Sequence, residues 1–169
     1  MHPRIINLAD VELTDATPED RPQGASADLY DLRRGAVASR IGARKLAYRL
    51  IAVAPGKRAC PFHSHRVEEE MFLILTGSGE LRYGDTRHPL RSGDVIACPT
   101  GGHESAHQII NTGEVELRYL AVSNVAEMDI CEYPDSGKFL VAAFDPASGG
   151  QGFELIGRAA GTIDYWEGE

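Results

Sequence analysis

His63-Ser64-His65-Arg66-Val67-Glu68-Glu69-Glu70-Met71-Phe72-Leu73-Ile74-Leu75-Thr76-Gly77 is the stretch on which the fold turns. His63 and His65 are separated by one residue, so on a strand both imidazoles point to one face, about 7 Å apart along the backbone, and converge on a common point. Four residues then separate His65 from Glu70, enough for the chain to turn and return a carboxylate from the neighbouring strand. Met71 to Leu75 is an unbroken apolar run; it is too short for a helix and is stopped by Gly77-Ser78-Gly79, so it reads as a buried strand.

Working outward, Lys45 to Ala54 alternates Leu46, Tyr48, Leu50 and Ala52 with Ala47, Arg49, Ile51 and Val53, a strand apolar on both faces that ends at Pro55-Gly56. Downstream, Glu80 to Tyr83 and Thr86 to Leu90 flank Gly84-Asp85, the composition of a two-residue hairpin turn. Val95 to Cys98, His107 to Ile110 and Val115 to Ser123 follow between turn residues. Turn signals every 8 to 12 residues with no helical period predict an all-β sandwich or small barrel. Beyond Ser123, Tyr133-Pro134-Asp135-Ser136-Gly137-Lys138 reads as a turn leading into a strand from Phe139 to Phe144. A loop over Asp145 to Gly152, a short strand from Phe153 to Ile156 and the aromatic tail Tyr165-Trp166 complete the chain.

The 169 residues fit one domain. Lys plus Arg is 17 against 25 for Asp plus Glu, a net charge of −8, the wrong sign for phosphate backbones or anionic lipid, so no nucleic acid and no membrane are expected as partners. Cys60, Cys98 and Cys131 form an odd set without CxxC spacing, which predicts reduced thiols and a cytoplasmic setting. Asp10, Glu12 and Asp15 stand where a leader would need its apolar stretch.

The chemistry concentrates on His63, His65, Glu70 and, from a later strand, His107. Three neutral imidazoles and one carboxylate suit one divalent transition ion, Mn, Fe, Ni, Zn, Co or Cu, and the lack of thiolates disfavours a closed structural zinc site. Coordination positions open to water or substrate are expected. His103 is an alternative to His107, and Glu69 to Glu70; Glu70 shares a strand face with Phe72 and Ile74. Tyr48, Arg82, Arg118 and Tyr119 are weaker candidates for orienting an anionic substrate or for acid and base roles, and are expected to face outward. Cys98, just before Pro99, reads as a small buried hydrophobe.

Gly56, His63-Ser64-His65, Glu70 and Gly77 resemble the first motif of the cupin superfamily, and Gly93, Pro99, Gly101 or Gly102, His107 and Asn111 resemble the second. Gly56 and His63 enclose six residues where the motif usually has five, and the spacing of the second motif puts His103 too early and His107 too late. His107 is preferred because three residues separate it from Asn111 and because it opens an apolar strand. The resemblance implies a double-stranded β-helix, the cupin jelly-roll barrel, with His63, His65, Glu70 and His107 holding a metal inside. The longer spacer and Tyr133-Pro134-Asp135 look like a subgroup of small single-domain bacterial cupins of uncharacterised function.

On this reading, residues 1–44 form an N-terminal arm and first strands, 45–124 the core barrel, and 125–169 a C-terminal extension packing on the barrel or on a dimer partner. The expected function is a metal-dependent isomerase, decarboxylase, lyase or dioxygenase acting on a small polar molecule bearing a carboxylate or hydroxy-carbonyl group; the alternative is a non-catalytic module that binds or senses a metabolite. A homodimer is expected, because a lone jelly roll leaves apolar faces and edges to cover.

Overall fold

The structure, a computed structural model, describes residues 4–17, 21–144, 152–158 and 163–169. Alternating side chains build it from two facing sheets. The first has six strands in the order β1-β2-β3-β10-β5-β8. These are β1 (Thr14–Asp15), β2 (Leu32–Ala36), β3 (Leu46–Val53), β5 (Glu70–Thr76), β8 (Val95–Cys98) and β10 (Leu117–Asn124). The second layer joins β6 (Ser78–Tyr83), β7 (Thr86–Arg91) and β9 (His107–Ile110) to β4 (Ser64–His65), β11 (Met128–Tyr133), β12 (Lys138–Ala143) and β13 (Phe153–Arg158). The seam between its two halves is a bridge in which His107 N donates to His63 O at 2.7 Å and His63 N to His107 O at 3.2 Å.

Register fixes which residues share the interior. Ser123 of β10 stands between Ala47 of β3 and Glu70 of β5, and Glu70 stands opposite Cys98 of β8. The next inward layer holds Arg49, Ala121, Phe72 and Ile96, and the one after it Ile51, Tyr119 and Ile74. Because side chains alternate with period 2, these layers line one face of the sheet. Ile51, Val53, Phe72, Ile74, Ile96, Leu117 and Tyr119 bury there with Leu81, Leu90 and Ile109 from the opposite layer. The outer face of β3 is apolar as well because it too is covered: Leu50 buries against Val11 and Val37 from the N-terminal segment.

Gly77 ends β5 at φ +84°, where an added Cβ would stand 2.7 Å from Glu116 O and 2.9 Å from Leu117 Cα, so both conformation and space demand glycine at the close of the histidine stretch. The hairpin at Gly84-Asp85 and the strands over Met71–Leu75 and Val95–Cys98 lie where the sequence places them. Among the elements not read in the sequence are β1, β2, the single-turn helix α1 (Ala38–Ile41) and β11. The last strand runs on to Arg158, and β10 begins at Leu117 instead of Val115. Of the loop expected over Asp145 to Gly152, all but Gly152 lies outside the described residues, as do residues 18–20 of the arm. Among the described residues no helix is long and apolar enough to cross a membrane.

Candidate metal centre

The β4 strand is short, yet it places His63 and His65 on one face, while Ser64 between them is turned away and fully buried. β5 delivers Glu70 from the facing sheet, and the seam with His63 brings in His107. Glu70 Oε2 lies 2.9 Å from His107 Nε2, 3.4 Å from His65 Nε2 and 3.6 Å from His63 Nε2. The rings of His63 and His107 are 4.6 Å apart, and those of His63 and His65 are 5.0 Å apart.

The other nitrogen of each ring is held from outside. His63 Nδ1 faces Pro61 O at 2.8 Å, His107 Nδ1 faces Ser105 O at 3.2 Å, and His65 Nδ1 faces Asp129 Oδ2 at 2.5 Å. Carbonyl and carboxylate oxygens only accept, so each Nδ1 carries the hydrogen and donates it. All three Nε2 atoms are thereby turned onto one carboxylate oxygen: where they carry hydrogens they donate them to Glu70, and where they do not they form with it four electron-pair donors around one point. That donor set fits a divalent transition cation and fits little else. Burial alone would raise the Glu70 carboxyl, but the three imidazoles, His107 foremost, outweigh it and hold the group far below the usual carboxylate range. The carboxylate is therefore ionised and acceptor-only. His63, Glu70 and His107 form a compact cluster suited to a metal, its four-residue extension being completed by His65.

The remaining sequence candidates are sorted by geometry. His103 lies in a short 3-10 turn, where it pairs with Asp85 at 2.9 Å and sits edge-on to Phe62, away from the cluster. Glu69 is exposed and its backbone amide donates to Asn124 Oδ1 at 2.6 Å. Asn111 is structural: fully buried, it donates to Val53 O and Val115 O and accepts from Gly113 N, locking the loop after β9. Arg82 forms a two-pronged pair with Asp135 at 2.7 and 2.8 Å and lies over the Phe62 ring, and Arg118 is exposed beside Glu116. Tyr48 packs in the cluster on the outer face of β3. Cys98 is buried, and that burial pushes its thiol well above the usual range, as expected of an inert residue.

Tyr119 corrects the sequence reading. It was expected to face outward, but it is only 4% exposed and stacks edge-on against Phe72 in the interior, because its β10 register matches Ile51 and Ile74. Alternation along β10 is regular here, with Leu117 and Tyr119 buried and Arg118 between them exposed, so Tyr119 shares the inward face of Leu117.

Two cavities meet at the histidines. One, of about 320 Å³, opens between β3 and β10 and is lined by Arg49, Glu68, Phe72, Ile109 and Tyr119 together with the cluster. The other, of about 290 Å³, lies toward the C-terminal strands and is lined by Cys60, Asp129, Cys131, Tyr133 and Leu140. Asp129, the partner of His65, was missed because β11 was not read as a strand. The alternation of Asp129, Cys131 and Tyr133 with Ile130 and Glu132 was the available signal, a weak one. Burial opposes ionisation of Asp129, but His65 and the Val67 and Glu68 amides hold its carboxyl below the ordinary value.

Comparison with known proteins agrees with this architecture. The family model described as the cupin domain matches residues 49–123. Protein SchB of Streptomyces halstedii is 31% identical over 115 residues, which cover 68% of this chain and 72% of that protein. The oxalate-binding protein of Thermotoga maritima is 42% identical over 60 residues, 36% of this chain, which spans about half of that relative at 47%. Among solved structures, a sugar phosphate isomerase from a cupin superfamily of Silicibacter pomeroyi superposes with a TM-score of 0.75 over 96% of this chain and 98% of that one, at 18% identity, a likeness of fold. A candidate sugar phosphate isomerase of Acidithiobacillus ferrooxidans gives 0.69 over 79% and 80%, at 25% identity.

Proposed function

The chain belongs to the cupin superfamily, and from that premise we propose that it is a metal-dependent enzyme acting on a small polar substrate with a carboxylate or hydroxy-carbonyl group. In this proposal His63, His65, Glu70 and His107 hold one divalent transition ion. The observation that carries it is the convergence of three Nε2 atoms on one Glu70 oxygen at the wall of a 320 Å³ cavity. When bound, the ion supplies Lewis-acid polarisation of a substrate oxygen, the chemistry common to isomerisation, decarboxylation and elimination.

The chain's own residues account for the rest. Asp129 keeps His65 in the tautomer that presents Nε2 to the site. Phe72 and Ile109 give the cavity part of its apolar wall. Tyr119 keeps its phenolic proton, since burial pushes its pKa well above the ordinary value, and so offers a donor to a bound oxygen. The likeness to a candidate sugar phosphate isomerase, a name that implies a hydroxy-carbonyl substrate, supports the substrate class. The oxalate-binding relative supports the second reading, a module that holds a small acid without converting it.

The two are separated by incubating metal-loaded protein with short hydroxy-ketones and carboxylic acids and following both binding and products by NMR. Conversion that disappears together with the metal in His63→Ala is expected. Binding without conversion would replace the first reading by the second, and no binding would overturn both.

The assembly proposed is a homodimer in which residues 125–169 extend the 45–124 barrel and residues 1–44 pack on its outer sheet. It is supported by the edge strand β13, where Phe153, Leu155 and Ile156 are exposed on both faces, and by exposed Tyr165 and Trp166.

A further inference from the structure

Arg49 is exposed to solvent, yet it stands on the cavity side of β3 and not on the outer face of the barrel. It occupies the inward face of β3, in the layer of Ala121 and Phe72 and between Ala47 and Ile51, where neighbouring positions are apolar. Its guanidinium lines the same cavity as the histidines, yet makes no hydrogen bond or ion pair with any described residue. Most other arginines near the barrel do pair: Arg33 with Glu116, Arg66 with Glu132, Arg82 with Asp135.

A second polar group lines the same cavity. Tyr119, 96% buried, presents a phenol whose hydroxyl has no protein partner among the described residues.

The distances follow from sheet geometry. Arg49 lies one inward layer from Glu70, about 7 Å along the strands, and two strands away, about 10 Å across them. Its side chain spans part of that gap, leaving room for a short molecule that touches the metal centre with one end and the guanidinium with the other. Arg49 is also the one cation on this cavity wall among the described residues, and Glu68 lines the wall as well. A single guanidinium matches a carboxylate by two parallel N–H bonds, whereas a phosphate dianion beside Glu68 would be undercompensated.

We infer that Arg49 is the specificity residue of the site and that the substrate is a two-ended short acid, its hydroxy-carbonyl or hydroxy-acid head at the metal and a distal carboxylate on Arg49, with the Tyr119 hydroxyl donating between them. This rests on the metal-dependent reading above and narrows it from small polar molecules to distal monoanions.

The test uses the zinc-loaded full chain and three probes that share a 2-hydroxy-acid head: malate, with a distal carboxylate; 2-hydroxybutyrate, with none; and 3-phosphoglycerate, with a distal phosphate. Calorimetry reads the ratio of affinities, and elemental analysis reads zinc per chain. Malate is expected to bind wild type at least about tenfold tighter than 2-hydroxybutyrate, the advantage to collapse in Arg49→Ala at equal zinc content, and Arg49→Lys to restore part of it. A ratio near one in wild type, or a ratio that survives Arg49→Ala, overturns the inference while leaving the metal reading intact. Tighter binding of 3-phosphoglycerate than of malate overturns the carboxylate assignment. Wild type that takes up no zinc overturns the metal reading and this inference with it.

Discussion

His65 and Asp129 are joined by a 2.5 Å contact from Nδ1 to Oδ2, and the other oxygen of Asp129 accepts the Val67 amide at 2.9 Å. The carboxylate thus ties the loop between β4 and β5 to β11 and fixes the direction in which His65 Nε2 points. In Asp129→Asn the two roles conflict. If the amide oxygen keeps the Val67 bond, the NH₂ group faces Nδ1 and drives the ring into the tautomer whose Nε2 carries hydrogen, which cannot ligate. The expected result is a folded protein whose metal affinity falls about 10- to 100-fold, measured by competition with a chromophoric chelator. Unchanged affinity would remove Asp129 from the site.

The two histidines of the second motif give a separate prediction. His107 Nε2 stands 2.9 Å from Glu70, whereas His103 is paired with Asp85. Mass spectrometric metal analysis should find most of the metal gone from His63→Ala and His107→Ala and a full equivalent in His103→Ala. Full occupancy in both His63→Ala and His107→Ala would place the ion elsewhere.

The sequence carried the barrel and the cluster because both depend on local rules. Period-2 alternation names the strands, glycine-rich turns separate them, and His63-x-His65 must share a face. What escaped depends on long-range pairing. Asp129 lies 64 residues from His65 in the chain, and nothing local in Met128 to Tyr133 announces that this strand returns to β4. Arg49 was visible only as one polar residue in an apolar alternation, and its meaning appears when register sets it beside Phe72. Tyr119 was legible, since it alternates with Arg118 on the face of buried Leu117, but its polar hydroxyl was weighed above that alternation.

Assembly is tested at the edge of the C-terminal sheet. Phe153 and Ile156 of β13 are each 60% exposed and lie on opposite faces of the strand. Light scattering at micromolar concentration should give twice the 18.4 kDa chain mass, and Ile156→Asp should shift the population to monomer with metal retained. A wild-type monomer would sink the proposed dimer.

Acid should release the metal and the stability that comes with it. Imidazoles coordinate only when neutral, so ion-bound histidines have folded-state values depressed below the unfolded value of about 6.5. A depressed value means that the unfolded chain binds more protons, so the metal-linked stability is complete above about pH 6.5 and is lost as pH falls through the folded-state values. Glu70 does not set this window. Burial pulls its carboxyl up, but the imidazoles hold it far below the usual range, so it stays ionised while the histidines titrate. At neutral pH, with free ion at about 100 times Kd, chelation should cost about 2.7 kcal/mol and lower Tm by roughly 5–10 °C. The gap between melting curves with and without chelator should narrow steadily from pH 7 toward pH 5. A Tm indifferent to chelator at every pH would mean that no ion contributes to this fold, and the four-residue centre would lose its physical support.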